Sequence, residues 1–355
     1  MDSLSQIVLG GAVAAACVPA AHRRAAWLAG AALGTLPDLD APLIAALTPD
    51  PVLRMTLHRG ASHSLFVLPL LAWGIWWLLR RRGGRVAQAP RAWLWAIMLA
   101  LITHPLLDAF TVYGTQLLWP LPVHPAMWSS VFIIDPLYTV PLLLASAAVL
   151  LRPQAALARQ AVVAGLVLST AYLGWSLAAK AVVERAADAA LAPLGLADAP
   201  RFSTPMPLNT VLWRVVVMTP QGYWVGDRSV LADRGPMRFA PHTSAVADAQ
   251  AVAGFAAVQQ LTWFNRGFMR AQVRDLDPAA ASAPRQQLVL SDLRMGLEPH
   301  YSFNFAVAQR TAGGAWQPLQ PPVQLGSPAD AAFSRQGMGA ALRGIWQRMW
   351  HAPGV

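Results

Sequence analysis

Within the first 183 residues, most of the side chains that could do chemistry fall in four short strings: GTLPDLDAP at 34–42, HRGASHS at 58–64, THPLLDAF at 103–110 and IDPLY at 134–138. They supply Asp38, Asp40, His58, Arg59, His63, His104, Asp108 and Asp135. Each string lies in or beside an apolar run, where an ionisable group is costly and needs a partner or a task. Imidazole nitrogen together with carboxylate suits a divalent metal, zinc first, with manganese or iron as alternatives.

The spacings say how these groups could meet. His104 and Asp108 are four apart, so on a helix they share a face at about 5–6 Å. An isolated pair of this kind is a weak signal, but this one sits in a 28-residue apolar run, Ala92 to Trp119, where a solvated helix face is not available. Asp38 and Asp40 would fall on nearly opposite sides of a regular helix. Pro37 and Pro42 flank them, which predicts an opened backbone turning both carboxylates into one polar cavity; the alternative is a pair that caps or solvates a loop. His58 and His63 are five apart, too far round for one face, placing His58 in a loop and His63 at the entrance to the next run. Ser62 or Ser64 could cap that helix. Arg59 offers a planar fork for a phosphate, or a contact with lipid headgroups.

The elements that must hold these groups follow from composition. Of 355 residues, 55% are hydrophobic and 12% charged, about half the usual charged fraction of roughly 25%, and mean hydropathy is +0.41. Apolar runs cover Leu4 to Ala21, Ala25 to Leu47, Leu65 to Leu79, Ala92 to Trp119, Val131 to Leu151 and Ala161 to Ala181. Most approach the roughly 20 residues that cross a bilayer. The expectation is a membrane α-helical bundle of five to six membrane segments over residues 1–183, followed by a mostly-β extramembrane domain over 184–355. In the latter, VLWRVVVM at 211–218, QLVLSDL at 287–293 and YSFNFAVA at 301–308 are β-prone. Near the end Leu342, Ile345, Trp346, Met349 and Trp350 fall at helical spacing beside Arg343 and Arg348, as in an interfacial helix or a helix packed on the β domain. The single cysteine, Cys17, excludes an intramolecular disulfide. Signal-peptide cleavage is not expected, because Asp2 and no Lys or Arg precedes the first run.

The net charge of +10 is almost wholly arginine. It concentrates between apolar runs, which points to topology and not to a nucleic acid. Loops after runs one, three and five carry nine arginines (Arg23, Arg24, Arg80, Arg81, Arg82, Arg85, Arg91, Arg152, Arg159); those after runs two and four carry two, Arg54 and Arg59. Six crossings would then put the C-terminal domain in the periplasm and gather the His and Asp strings toward one outer face.

At these strings, and at MDSLSQIVLGGAV, THPLLDAFTVYGTQLLWP, IDPLYTVPLL, LWRVVVMT and SDLRMG, the chain resembles the YdjM-like family of bacterial inner-membrane metal-dependent hydrolases, itself thought to be distantly similar to zinc-dependent phospholipase C and P1-type nucleases. The resemblance implies that Asp38, Asp40, His58, His63, His104 and Asp108 bind one to three metal ions, and it suggests a phosphate ester as substrate. Gln6 stands where many relatives have histidine; glutamine is a poor zinc ligand, so Gln6 can belong to the fold alone. In this reading Asp135 orients the attacking water or acts as general base, Arg59 offsets phosphate charge, and membrane lipids or a lipid-linked phosphate are the partners. Two rivals remain: a metal-ion or proton-coupled transporter using the same cluster, and an envelope scaffold acting through its outer domain.

Overall fold

Small residues dominate the first two helices, and they let two backbones touch. In a computed structural model describing residues 1–276, 285–311, 313–326 and 335–352, α1 (Ser3–Cys17) and α2 (Arg23–Thr35) meet at glycines. A Cβ on Gly10 would lie 2.3 Å from the Gly30 carbonyl oxygen, and one on Gly34 would lie 2.5 Å from that of Gln6. Only glycine permits this approach. Its result is that Gln6 and the Gly34 carbonyl are held at one end of the pair.

The chain continues through a 3₁₀ turn at Leu36–Leu39, α3 (Asp40–Leu47), α4 (Pro51–Leu57), a second 3₁₀ turn at Ala61–His63, α5 (Val67–Arg81), α6 (Gly84–Gln88), α7 (Pro90–Ala109), α8 (Pro136–Leu151) and α9 (Ala156–Leu191). It divides into two units, one of Met1–Leu43, His58–Ala178 and Pro207–Thr210, the other of Ile44–Leu57, Ala179–Met206 and Val211–Val355. In the first, Val8, Ala12, Leu107 and Leu142 form one buried cluster, and Leu68 and Ala72 on α5 pack against Ile97 and Leu101 on α7. These contacts fix α7, which carries His104 and Asp108, between α1 and α5.

The expectation of five to six membrane segments is overturned. Two helices are long and apolar enough to cross, Pro90–Ala109 and Ala156–Leu194, or up to three if Pro51–His63 and Val67–Arg81, bent by 54°, count as one span. The reasons are local. Helix α1 has 15 residues, about 22 Å at 1.5 Å per residue against a hydrocarbon core of about 30 Å, and ten of them are buried in protein. The second apolar run is broken by the turn containing Pro37 into helices of 13 and 8 residues. The fourth stops being helical at Ala109, and α8 has only 16 residues. Hydropathy registers apolar character but not the breaks and mutual packing that consume it. The topology drawn from alternating arginines needed six crossings and loses its basis with them.

The second unit contains two four-stranded antiparallel sheets. One runs β1 (Arg201–Pro205), β2 (Leu212–Thr219), β3 (Gly222–Ser229), β4 (Ala240–Thr243) in spatial order. The other is built from β5 (Met269–Asp275), β6 (Arg285–Asp292), β9 (Asn304–Thr311) and β10 (Gln317–Leu325), in the order β10-β9-β6-β5. A small hairpin, β7 (Gly296–Leu297) and β8 (His300–Tyr301), lies between β6 and β9 in sequence. Helices α10 (Val246–Ala251) and α11 (Ala256–Asn265) precede β5, and α12 (Arg335–Trp350) follows β10. The three β-prone stretches read from sequence fall on β2, β6 and β8–β9. On α12 the packed-helix reading holds for part of the apolar set: Met349 is buried with Met206 and Leu212 and Ile345 packs beside them, while Leu342, Trp346 and Trp350 are exposed.

Candidate metal centre

Four of the sequence-predicted ligands come together: Asp38, His63, His104 and Asp108 each present one ligand atom, all within 4.8 Å of one another. His104 and Asp108 come from successive turns of α7, as their spacing predicted. Asp38 comes from the 3₁₀ turn at Leu36–Leu39 and His63 from that at Ala61–His63. The Pro37 break thus does what a regular helix could not, turning Asp38 inward. His63, His104 and Asp108 have no exposed side-chain surface, while Asp38 keeps 24%, so Asp38 stands at the mouth.

The partners of each imidazole fix which nitrogen is free. His104 Nδ1 lies 2.6 Å from the Gly34 carbonyl, which can only accept, so this nitrogen donates and Nε2 carries the lone pair. The Ser62 hydroxyl donates to Asp40 Oδ2 and can therefore accept from His63 Nδ1 at 2.9 Å. That also leaves a lone pair on His63 Nε2. The two Nε2 atoms are 3.1 Å apart. Asp38 Oδ1 lies 3.4 Å from both, and Asp108 Oδ2 lies 3.2 and 3.4 Å from them. Asp38 Oδ1 and Asp108 Oδ2 are buried without a hydrogen-bond partner among the described residues.

Four acceptors facing one point repel one another unless a cation lies between them. A tetrahedral zinc site with bonds of about 2.0–2.1 Å has ligand-to-ligand edges of about 3.3–3.4 Å, close to the separations here. The donor set and its orphaned oxygens therefore fit a divalent ion. The outer contacts have the character of a metal site too, since each ligating imidazole has its other nitrogen tied to an oxygen. Burial opposes the charge of Asp38, but the facing His104 and His63 rings outweigh it and hold its carboxyl well below the usual carboxylate range.

Asp40 and His58 are not members of the four. Asp40 is saturated by other donors: His58 Nδ1 at 2.7 Å, the Arg59 backbone N–H at 3.0 Å and the Ser62 hydroxyl. Burial works against its charge, but His58, Ser62 and His63 together outweigh it and hold its carboxyl below the usual carboxylate range. Arg59 is buried, with Nε 3.2 Å from Asp108 Oδ2, Nη1 donating to Thr111 Oγ1 at 3.2 Å, and its guanidinium over the Tyr113 ring. It adopts φ +62°, a left-handed conformation costing about 1–2 kcal/mol for a non-glycine residue. Asp135 has a different setting: Oδ1 caps α8 through Leu137 N and Oδ2 accepts from Tyr172 at 2.8 Å. Burial pushes its carboxyl up, against that Tyr172 bond.

Gln6 enters the site as a donor. Its Nε2 reaches Asp108 Oδ1 at 3.0 Å and the His104 carbonyl at 3.2 Å, and the Met1 amino group also contacts Asp108 Oδ1. No spacing rule in the sequence links position 6 to position 108. Of the two serines read as helix caps, Ser64 caps α5 through Phe66 N and Val67 N, while Ser62 joins His63 to Asp40.

No curated protein and no solved structure matches the chain. A family model described as YdjM inner membrane protein matches residues 1–183, over half the sequence and all four convergent ligands. The chain belongs to the YdjM inner membrane protein family.

Proposed function

We propose that this protein is a membrane-bound, metal-dependent hydrolase of a phosphate ester carried by a lipid or lipid-linked substrate. The observation that supports this reading most is the convergence of four acceptor atoms on one point, five of their separations being 3.1–3.4 Å and all of them within 4.8 Å. Asp38, His63, His104 and Asp108 would hold the ion, zinc first, with manganese or iron as alternatives. When bound, such an ion supplies Lewis acidity, activating water near neutral pH and polarising the ester.

The chain's own residues supply the rest. With all four residues engaged an ion would have no open position for water, and Asp38, at the mouth, is the residue that could give way. Arg59, beside Asp108, offsets the charge of a phosphoryl group. His58, with Nδ1 held by Asp40, has its Nε2 available to move a proton, the role the sequence offered to Asp135, whose two oxygens are engaged elsewhere. Asp40 is a positioning residue, acting on His58 directly and on His63 through Ser62. The periplasmic placement of the C-terminal region belongs to this proposal.

Metal analysis of the purified full chain, beside hydrolysis of a chromogenic phosphodiester with and without chelator, tests the reading. Stoichiometric metal and chelator-sensitive turnover are expected. Absence of bound metal, or turnover indifferent to chelation, overturns it; metal binding with ion flux in proteoliposomes and no hydrolysis would favour a transporter.

A further inference from the structure

The apolar run that starts at Ala92 outlasts its helix. Helix α7 ends at Ala109, and from there to Ile134 the sequence has no Asp, Glu, Lys or Arg. This connection, within the helical unit, is a built loop. Thr115 and Ala126 exchange both backbone hydrogen bonds, at 2.9 and 2.8 Å, and close its neck. One side of the neck is tied to the string that carries His63: Gln116 N donates to the Arg59 carbonyl at 3.0 Å, Leu65 N to the Leu117 carbonyl at 2.8 Å and Ser64 Oγ to the Trp119 carbonyl at 2.6 Å. The other side returns to the chain just past Asp108, through Trp128 N to the Ala109 carbonyl at 2.7 Å and Ser130 N to the Phe110 carbonyl at 2.8 Å. Two of the ligand-bearing segments therefore hold the loop.

Its tip has the composition that a water-facing loop avoids. Every residue from Leu118 to Val123, LWPLPV, is apolar and exposed, with Leu118, Trp119, Leu121 and Val123 keeping 42%, 40%, 50% and 45% of their surface. An uninterrupted exposed run of this kind marks a contact with lipid or with a partner. The backbone favours lipid. From Trp119 to Val123 every N–H is bonded inside the loop, Trp119 N to the Gln116 carbonyl, Leu121 N to that of Leu118 and Val123 N to that of Leu121, and Pro120 and Pro122 have none. Unpaired donors are what keep irregular chain out of an apolar phase; here they are closed, and no N–H is left for strand addition by a partner chain. The loop leaves the end of α7, one of the two helices long and apolar enough to cross a membrane, and a crossing by α7 delivers it to a membrane face, where tryptophan is at home. We propose that Leu118–Val123 is an interfacial anchor that inserts into the bilayer at the glycerol and upper acyl level and, through its clamped neck, fixes the metal centre at that membrane face. This goes beyond the hydrolase reading and stands whether or not the centre cleaves a phosphate ester.

The test uses the full chain in liposomes of phosphatidylethanolamine and phosphatidylglycerol, carrying Cys17→Ser and a nitroxide attached through Leu121→Cys or Val123→Cys. Collision of the label with oxygen, which concentrates in lipid, is measured against collision with a neutral nickel chelate, which stays in water. Leu168→Cys, at an exposed position in the apolar stretch of α9, supplies the hydrocarbon reference, and free nitroxide in buffer the aqueous one. The oxygen-to-nickel ratio at both loop sites should lie several-fold above the aqueous reference. Adding Leu118→Asp and Val123→Asp, whose charges make insertion costly, should return the ratio at Leu121→Cys to the aqueous value, with the melting temperature in detergent unchanged to show the fold intact. An aqueous ratio at both loop sites without the aspartates overturns the proposal, as does a ratio indifferent to them. Low access to both reagents overturns it too: with dipolar broadening the loop lies against a second copy of the chain, and without broadening against another protein surface.

Discussion

Both units bury charged groups, but they satisfy them differently. In the β-rich unit Asp292 and Arg294 are each only 1% exposed, and every carboxylate oxygen is met: Arg294 Nε and its backbone N–H reach Oδ1 at 2.9 and 3.0 Å, and Nη2 reaches Oδ2 at 2.7 Å. In the helical unit the acceptors of Asp38, His63, His104 and Asp108 converge on each other. A closed ion pair is structure for its own sake, whereas acceptors pointed at acceptors are the outline of a cation. The contrast separates burial that serves the fold from burial that serves a ligand.

The sharpest way to break this contrast is to remove a ligand from the open cluster. His104→Ala should abolish stoichiometric metal, read by elemental analysis of the purified protein, and should also erase any rise in melting temperature on adding zinc to the apo protein. Asp292→Ala should do the reverse: it leaves Arg294 buried without its partner, costing about 3–5 kcal/mol of stability in the β-rich unit, with metal content per folded molecule unchanged. A denaturation curve beside metal analysis checks both halves. Loss of metal in the Asp292 variant, or of stability alone in the His104 variant, would erase the distinction. Ser62→Ala removes only the link between His63 and Asp40 and should weaken metal affinity about 10–100-fold, measured by competition with a chromogenic chelator.

The smallest effect concerns Glu298, which accepts from Arg270, Tyr223 and Tyr301. Burial opposes its charge, but the Tyr223 hydrogen bond and Arg270 outweigh it and hold its carboxyl below the ordinary glutamate range. The folded value lies below the unfolded one. The network's contribution is therefore present above the ordinary glutamate pKa and is lost as pH falls through the lower folded value. Glu298→Gln should flatten a shallow acid limb of the β-rich unit's melting temperature and leave zinc binding alone.

What could be read from the sequence follows the range of each interaction. His104 and Asp108 were legible as a pair because four residues make one turn of helix, and Asp38 because Pro37 announced a break. The β-prone stretches were legible because strand alternation is local as well. That His63 joins them while His58 and Asp40 form their own pair depends on two 3₁₀ turns meeting across α7, which no spacing encodes. Gln6 was left out for the same reason. The span count failed differently: six apolar runs are real, but a run that is broken at Pro37, or packed on all sides like α1, spends its hydrophobicity on protein.

The contact of α1 with α2 reaches further than packing. Because Gly10, Gly30 and Gly34 let the two backbones touch, the separation of these helices sets where the Gly34 carbonyl meets His104 Nδ1. The electron density available at the opposite ring nitrogen then depends on a distance controlled by absent side chains. A single methyl at position 34, 2.5 Å from the Gln6 carbonyl, would act as a wedge between two helices and be felt as a displaced hydrogen bond at His104. Helix spacing thus sets how the second imidazole of the cluster is held.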